Sequence, residues 1–312
     1  MVTSYISSFD MKKLAIKIFA YIFSISLLWI CYVCAIDHVC ESIYGINTAK
    51  QIKKGFENAT KGDYSILFLG SSSIYRDINP DVITSSKAYN FAHDNDAPNQ
   101  YYYKLKYLLD RNVQIDTLIL GIDYTSFAYI SDTRNYIYDR YFGSDYIKDY
   151  NSLIGECVSN IKMYFITKQK LFPQFVEYLE GAHSHNNYLK ENGQYIKNGT
   201  ASPDDKVDRD EIILPFQINY FKAIVDLCKS RGIHLFVINC PTRDEELQAY
   251  SKEFIIDFDN QIIDILGDTC KYKNYSTLSL FKDYRQYVDI CHLNEQAATE
   301  FTKYMWDDLT KQ

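Results

Sequence analysis

The hydrophobic pattern divides the chain into three regimes. Ile18 to Ile36, IFAYIFSISLLWICYVCAI, is 19 residues without a charge. A helix needs about 20 such residues to cross a bilayer. Lys12, Lys13 and Lys17 precede it, and the positive-inside rule then keeps the N-terminus in the cytoplasm and sends the rest outside. The apolar run is longer than a cleaved signal peptide carries, and no small-x-small cleavage site follows. The expectation is a cytoplasmic stretch over 1–13, an uncleaved transmembrane anchor over 14–36 and a juxtamembrane helix and linker over 37–63.

From Tyr64 onward short apolar runs alternate with helical periodicity. Ser65–Leu69, Ala88–Ala92, Thr117–Asp123, His234–Pro241 and Tyr272–Leu280 read as strands. Gln100–Asn112, Pro215–Arg231, Glu245–Leu266 and Asn294–Leu309 read as helices, with Gly232 as the stop signal of the second. Apolar runs without polar alternation belong to strands buried on both faces. Strand–helix alternation then predicts an α/β fold: a three-layer, flavodoxin-like sandwich with a central parallel sheet, over residues 64–311.

The alternation stops between about 125 and 212. Aromatics dominate there, as in Tyr136-Ile137-Tyr138-Asp139-Arg140-Tyr141-Phe142, with helical stretches at about 150–182 and a polar segment from His183 to Glu211. This reads as an aromatic-rich insertion bordering the site. Its tyrosines suit stacking on sugar rings; the plainer reading is an aromatic core under a solvated loop.

Composition narrows the function classes. The chain has 312 residues, a net charge of −7 and no dense Lys/Arg cluster beyond the N-terminus, so nucleic acid is not an expected partner. With 12 Gly and 6 Pro among them, it is not a fibrous or disordered chain. Eight cysteines are scattered rather than spaced as a disulfide framework. His183 and His185 lack a nearby Cys or Glu set, and no Gly-Lys-Ser/Thr follows Gly70. No metal or cofactor is expected.

Two stretches carry candidate chemistry. Ser65–Leu69 runs into Gly70-Ser71-Ser72-Ser73, a strand ending on a turn that displays hydroxyls. Asp289-Ile290-Cys291-His292-Leu293-Asn294 stands just before the last helix. A histidine activates a serine when an acid holds its tautomer and orientation. Asp289, three residues from His292, can do so from the same loop. The loops at the carboxyl ends of parallel strands converge, so these stretches can meet.

Their order resembles the SGNH (GDSL-like) hydrolase superfamily, whose blocks read Gly-Asp-Ser after the first strand and Asp-x-x-His near the C-terminus. The resemblance spans roughly 64–126 and 213–310. It points to Ser72 as nucleophile, with Ser71 the second choice and Ser73 also available, and to His292 and Asp289 as base and orienter. Gly121-Ile122-Asp123-Tyr124 falls on the Gly-x-Asn-Asp block, so Asp123 stands where an oxyanion-donating Asn is expected, and an ionised carboxylate cannot donate. No Gly falls near Asn90–Asn95, where a backbone donor is expected; Asn90 and Asn95 become the candidates, with the N–H of Ser72.

The Gly-Ser-Ser variant with an anchor resembles the subgroup of teichoic-acid D-alanylation and alginate O-acetylation proteins. That resemblance implies an extracytoplasmic serine esterase or O-acyltransferase. It also implies an acylated glycan or similar envelope polymer as substrate and a membrane-bound O-acyltransferase as partner. The alternative is a catalytically degraded module that binds or helps assemble envelope polysaccharide.

Overall fold

The computed structural model describes residues 8–43, 48–131, 134–154, 176, 180 and 187–311. His183, His185 and most of the helical stretches expected at 150–182 lie outside them. Helix α1 (Ser8–Ile43) contains the apolar segment. Its Met11–Ile36 portion is long and apolar enough to cross a membrane and is almost wholly exposed. Helix α2 (Thr48–Lys61) follows. It lies within the segment expected as a linker, yet Ile52, Phe56 and Ala59 are buried in the main core. Their spacing of four and three residues puts them on one helix face.

The sheet is built from β1 (Ile66–Leu69), β2 (Ala88–Asn90), β3 (Thr117–Gly121), β6 (His234–Asn239) and β7 (Lys271–Asn274). Their order is β2-β1-β3-β6-β7. Every pairing is parallel, with Leu67 opposite Leu118 and Tyr89, Ile119 opposite Phe236, and Val237 opposite Tyr272. This is the flavodoxin-like order, as the alternation predicts.

Strand periodicity explains the three layers. Leu67, Leu69, Leu118, Leu120, Leu235 and Val237 face one core. Ile66, Phe68, Ile119 and Ile238 face the other. Successive side chains point to opposite faces, so the central strands β1, β3 and β6 supply both cores. Full burial of such a side chain is worth roughly 1.5–3 kcal/mol.

The first core is covered by α2, α4 (Pro98–Leu109), α7 (Pro215–Arg231) and α9 (Lys252–Leu266), through Phe56, Tyr101, Phe221 and Phe258. The second is covered by α3 (Ser72–Asp77) and α10 (Glu295–Thr310), through Ile74, Phe301 and Met305.

The aromatic region divides. Helices α5 (Asn135–Phe142) and α6 (Ser144–Ile154) add to the first core. Tyr141 stacks on Phe56 with ring centroids 3.7 Å apart, and Tyr138 and Tyr146 are buried. These tyrosines fit the plainer reading, an aromatic core. The hairpin of β4 (Tyr188–Leu189) and β5 (Tyr195–Ile196) instead packs beside α3.

Two boundaries differ from the sequence expectation. The helix expected over Glu245–Leu266 is two, α8 (Asp244–Leu247) and α9. The break falls where the Ser251 side chain accepts from the Phe254 N–H and caps α9. The short strand expected within Tyr272–Leu280 is β7, which starts one residue earlier and ends at Asn274, with a 3-10 turn at Ser279–Phe281 beyond it.

Candidate active site

The turn after β1 depends on two glycines. A Cβ on Gly70 would stand 2.4 Å from Ile74 Cγ1, and one on Gly121, at the end of β3, 2.0 Å from the same atom. Only with both positions bare does Ile74 sit against the strand ends. That packing brings the first turn of α3 directly over the carboxyl edge of the sheet.

Ser71 precedes α3 with extended backbone, and its side chain makes no cap bond. Its hydroxyl donates to Asp123 Oδ2 at 2.8 Å, and Ser73 donates to the same oxygen at 3.3 Å. Asp123 Oδ1 accepts from the Thr125 N–H and hydroxyl and from the Ser126 hydroxyl. The serines on either side of Ser72 are therefore tied to the end of β3, and Asp123 acts purely as an acceptor.

Ser72 points the other way. Its Oγ lies 2.8 Å from His292 Nε2. His292 Nδ1 lies 2.8 Å from Asp289 Oδ1 and 3.0 Å from Oδ2. A carboxylate can only accept, so Nδ1 carries the ring proton and Nε2 is left to accept from Ser72. Asp289 also takes the N–H groups of Cys291 and His292, and Lys197 Nζ at 2.7 Å.

The loop is fixed from both ends. The Leu293 N–H donates to buried Asp77 Oδ1 at the end of α3, and the Asn294 side chain caps α10 through the Ala297 N–H. Asp77 thus ties the serine helix to the histidine loop.

The charges follow from this packing. Burial alone would raise the Asp289 carboxyl, but hydrogen bonds and charge from His292 and Lys197 override it and hold Asp289 below the usual range. Burial lowers His292 below the ordinary histidine value, and the Arg76 guanidinium lowers it further; Asp289 and Asp94 oppose this. The imidazole is therefore neutral near pH 7, the form able to take a proton.

Ser72 and His292 open onto a cleft of about 460 Å³, lined also by Asn95, Asp123, Tyr129 and Glu246. Asn95 is in the left-handed region, with φ 56°, and is one of several groups on the wall able to donate, with Tyr129, Arg209, Asn239 and Tyr250. Asn90 is elsewhere. It is buried, its amide nitrogen donates to the Ile74 and Ile78 carbonyls, and its oxygen accepts from the Ala92 N–H. Both amide hydrogens are spent on holding α3, so Asn90 is not an oxyanion donor. Among the described residues no cluster of three or more His, Cys, Asp or Glu side chains is arranged to hold a metal ion.

Sequence reasoning missed Arg76, Asp77 and Lys197. Arg76 had a local signal: it is four residues after Ser72, on the same helix face. Asp77 and Lys197 act across the fold, 216 and 92 residues from their partners, and have no such signal.

The chain has a flavodoxin-like α/β fold, with the serine turn and the Asp289–His292 loop brought together at the carboxyl edge of its parallel sheet. No family model matches it, and no curated protein does. Among solved structures, it is similar to a protein from Streptococcus pneumonia assigned as a platelet activating factor. Identity is 13%, coverage 83% of this chain and 92% of that one, and the TM-score 0.42. It is similar too to a GDSL-like lipase from Bacteroides thetaiotaomicron, at 10% identity, coverage of 84% and 100% and a TM-score of 0.40. A family two carbohydrate esterase from Clostridium thermocellum, solved with cellohexaose, shares 8% identity, with coverage of 79% and 63% and a TM-score of 0.36.

Proposed function

We propose that the protein is a membrane-anchored, extracytoplasmic serine esterase or O-acyltransferase that acts on an acylated envelope glycan or similar polymer. The observation that carries the reading is the row Ser72 Oγ, His292 Nε2 at 2.8 Å, and Asp289 Oδ1 at 2.8 Å from Nδ1. A nucleophile in hydrogen-bond reach of a base, itself oriented by an acid, is the arrangement that activates a hydroxyl.

Ser72 Oγ attacks the acyl carbonyl and its proton passes to His292 Nε2. Collapse of the tetrahedral adduct breaks the bond to the alcohol, which leaves with that proton. Water or an acceptor hydroxyl then gives its proton to His292, attacks the acyl-serine and releases Ser72 Oγ. The oxyanion is met by the Ser72 N–H, which has no intrahelical acceptor, and by the Asn95 amide. Water exclusion and acceptor binding set the choice between hydrolysis and transfer, and a membrane-bound O-acyltransferase is the partner for the second.

A fluorophosphonate probe on the full-length protein in detergent tests this. Labelling is expected at Ser72, absent in Ser72→Ala and reduced ~10³-fold or more in rate in His292→Ala, by analogy with other triads. A folded sample that takes no label at any serine removes the enzyme reading and leaves the glycan-binding one.

A further inference from the structure

Arg76 makes a direct contact with His292 that the row of three does not explain. Its NH1 nitrogen lies 2.8 Å from His292 Nδ1 and 3.1 Å from Nε2. Cε1 stands between those two nitrogens, so an atom in the ring plane could not approach both without striking it. NH1 is therefore over the face of the imidazole. The in-plane positions are already taken, with Nδ1–H directed at Asp289 and Nε2 at Ser72. A guanidinium donates only and stays charged, so this is a cation held against a ring face rather than a third hydrogen bond.

The clamp is built. Asp94, in the loop after β2, holds Arg76 NH2 at 2.8 Å. The Tyr195 ring of β5 lies 5.7 Å from Arg76 Cζ, and Gln194 Nε2 donates to the Arg76 carbonyl at 3.0 Å. The Arg76 side chain is only 12% exposed. The loop after β2 and the β5 strand thus hold the side chain, and Gln194 holds its main chain, while its free end touches the base.

We propose that Arg76 is a positioning residue: pinned by Asp94 over the face of the His292 ring, it fixes the plane in which the imidazole meets Ser72 and Asp289 and keeps that imidazole neutral. The kinetic part of this inference rests on the catalytic reading above; the titration of the ring does not.

The charged and titratable groups around His292 sum in a definite direction. From its own loop Asp289 favours the imidazolium, and Cys291 stays a neutral thiol because burial pushes it up. From α3 comes Arg76, in contact, which disfavours the imidazolium. From the loop after β2 comes Asp94, whose charge favours it but is engaged by Arg76. Lys197 of the stretch after β5 is spent on Asp289. Burial and Arg76 prevail, and His292 sits below the ordinary value. The base is thereby kept competent in mildly acid surroundings.

The test is a titration of His292 in the full-length protein in detergent micelles, with ¹³C at histidine Cε1. The chain has six histidines, and the signal is assigned by its loss in His292→Gln. In the wild type the midpoint is expected below about 6.5. In Arg76→Gln it is expected to rise by about one unit or more, since a contacting like charge is removed. In Arg76→Lys, which keeps the charge, most of the depression is expected to return. The acid limb of kcat/KM on p-nitrophenyl acetate should move with it.

A wild-type midpoint at or above 6.5 overturns the inference, as does an unchanged midpoint in Arg76→Gln that circular dichroism shows to be folded. If Arg76→Gln does not fold, the wild-type and Arg76→Lys midpoints decide. A ring that titrates as stated in a protein that takes no fluorophosphonate supports the inference and removes the catalytic reading.

Discussion

Asp123 accepts hydrogen bonds from both Ser71 and Ser73, the residues on either side of Ser72. The carboxylate at the position of an expected oxyanion donor thus restrains the nucleophile's turn. Asp123→Ala frees both hydroxyls and the Thr125–Ser126 turn, and is expected to lower kcat ~10²-fold through misplacement of Ser72. KM should change little. Asp123→Asn keeps one acceptor oxygen and should lose much less. Steady-state kinetics on p-nitrophenyl acetate separate the two; equal losses in both variants would point to the negative charge itself.

Asn95 combines a left-handed backbone with a side chain on the cleft wall. Alanine there would mix two effects, because a non-glycine residue without a local hydrogen bond pays roughly 1–2 kcal/mol in that conformation. Asn95→Gly avoids the strain and removes only the amide. A loss of ~10²–10³ in kcat with an unchanged thermal midpoint is expected if the amide meets the oxyanion. An Asn95→Gly enzyme with wild-type kcat would leave the Ser72 N–H without this partner.

How much of this was legible follows from where the information sits. The central strands were readable because they bury both faces, so Leu67, Phe68, Leu118 and Ile119 fall in unbroken apolar runs. The two blocks at Ser72 and Asp289–His292 are local, and local spacing is what a sequence displays. The docking of α2 was masked by Gln51, Lys53 and Lys54, although Ile52, Phe56 and Ala59 repeat at helical spacing. The tie from Asp77 to Leu293 and the ion pair of Lys197 with Asp289 join residues far apart in the chain. Nothing in the one-dimensional pattern pairs them.

Gly121 bears on the site through packing alone. A methyl group added there would fall 2.0 Å from Ile74 Cγ1 and 2.5 Å from its Cδ1. Gly121→Ala is expected to cost about 1–3 kcal/mol as an overpacking change and to displace α3, lowering fluorophosphonate labelling of Ser72. Adding Ile74→Ala to it removes the colliding atoms. If the collision is the cause, the double variant should be less destabilised than the sum of the single ones. Chemical denaturation of the four proteins reads this coupling.

His93 is buried and stacks on Tyr75. Burial, then the Arg134 and Lys104 charges, lower its pKa well below the ordinary value. His292 is lowered too. For a base lowered by folding, the unfolded chain takes protons first. Its stability contribution is therefore full above the unfolded value of about 6.5 and falls as pH drops from there toward the folded value. Asp77 runs the other way: burial raises it, so it favours the folded state as pH falls. Its window opens at the raised folded value and is complete at the ordinary carboxylate range of about 4. Between pH 7 and 5 the histidines lower the thermal midpoint and Asp77 opposes them, so the comparison decides: His93→Phe should lose less of its midpoint over that range than the wild type while keeping the stack on Tyr75. An equal fall in both proteins would exclude His93 as a source.

On the proposed function, the charge of the cleft makes a demand on the substrate. Asp123, Asp208, Asp210 and Glu246 line it, and Arg209, the fixed cation among the described lining residues, is held by Glu246 at 2.7 Å. Like charges brought together on binding are penalised. The cleft therefore suits a neutral or cationic acylated glycan better than a phosphate- or uronate-rich one. Between two acetylated oligosaccharides of equal length, the neutral one should show the higher kcat/KM, by roughly tenfold at low salt, about 1.4 kcal/mol of discrimination. Salt screens such repulsion over about 10 Å at 0.1 M, so adding it should raise kcat/KM for the anionic substrate and leave the neutral one unchanged. Asp208 and Asp210 are exposed at the rim and outside the row that carries the chemistry. The double variant Asp208→Asn, Asp210→Asn should narrow the preference without altering turnover of p-nitrophenyl acetate. A faster reaction with the anionic substrate, weakened by salt, would mean that Arg209 rather than the carboxylates receives the polymer.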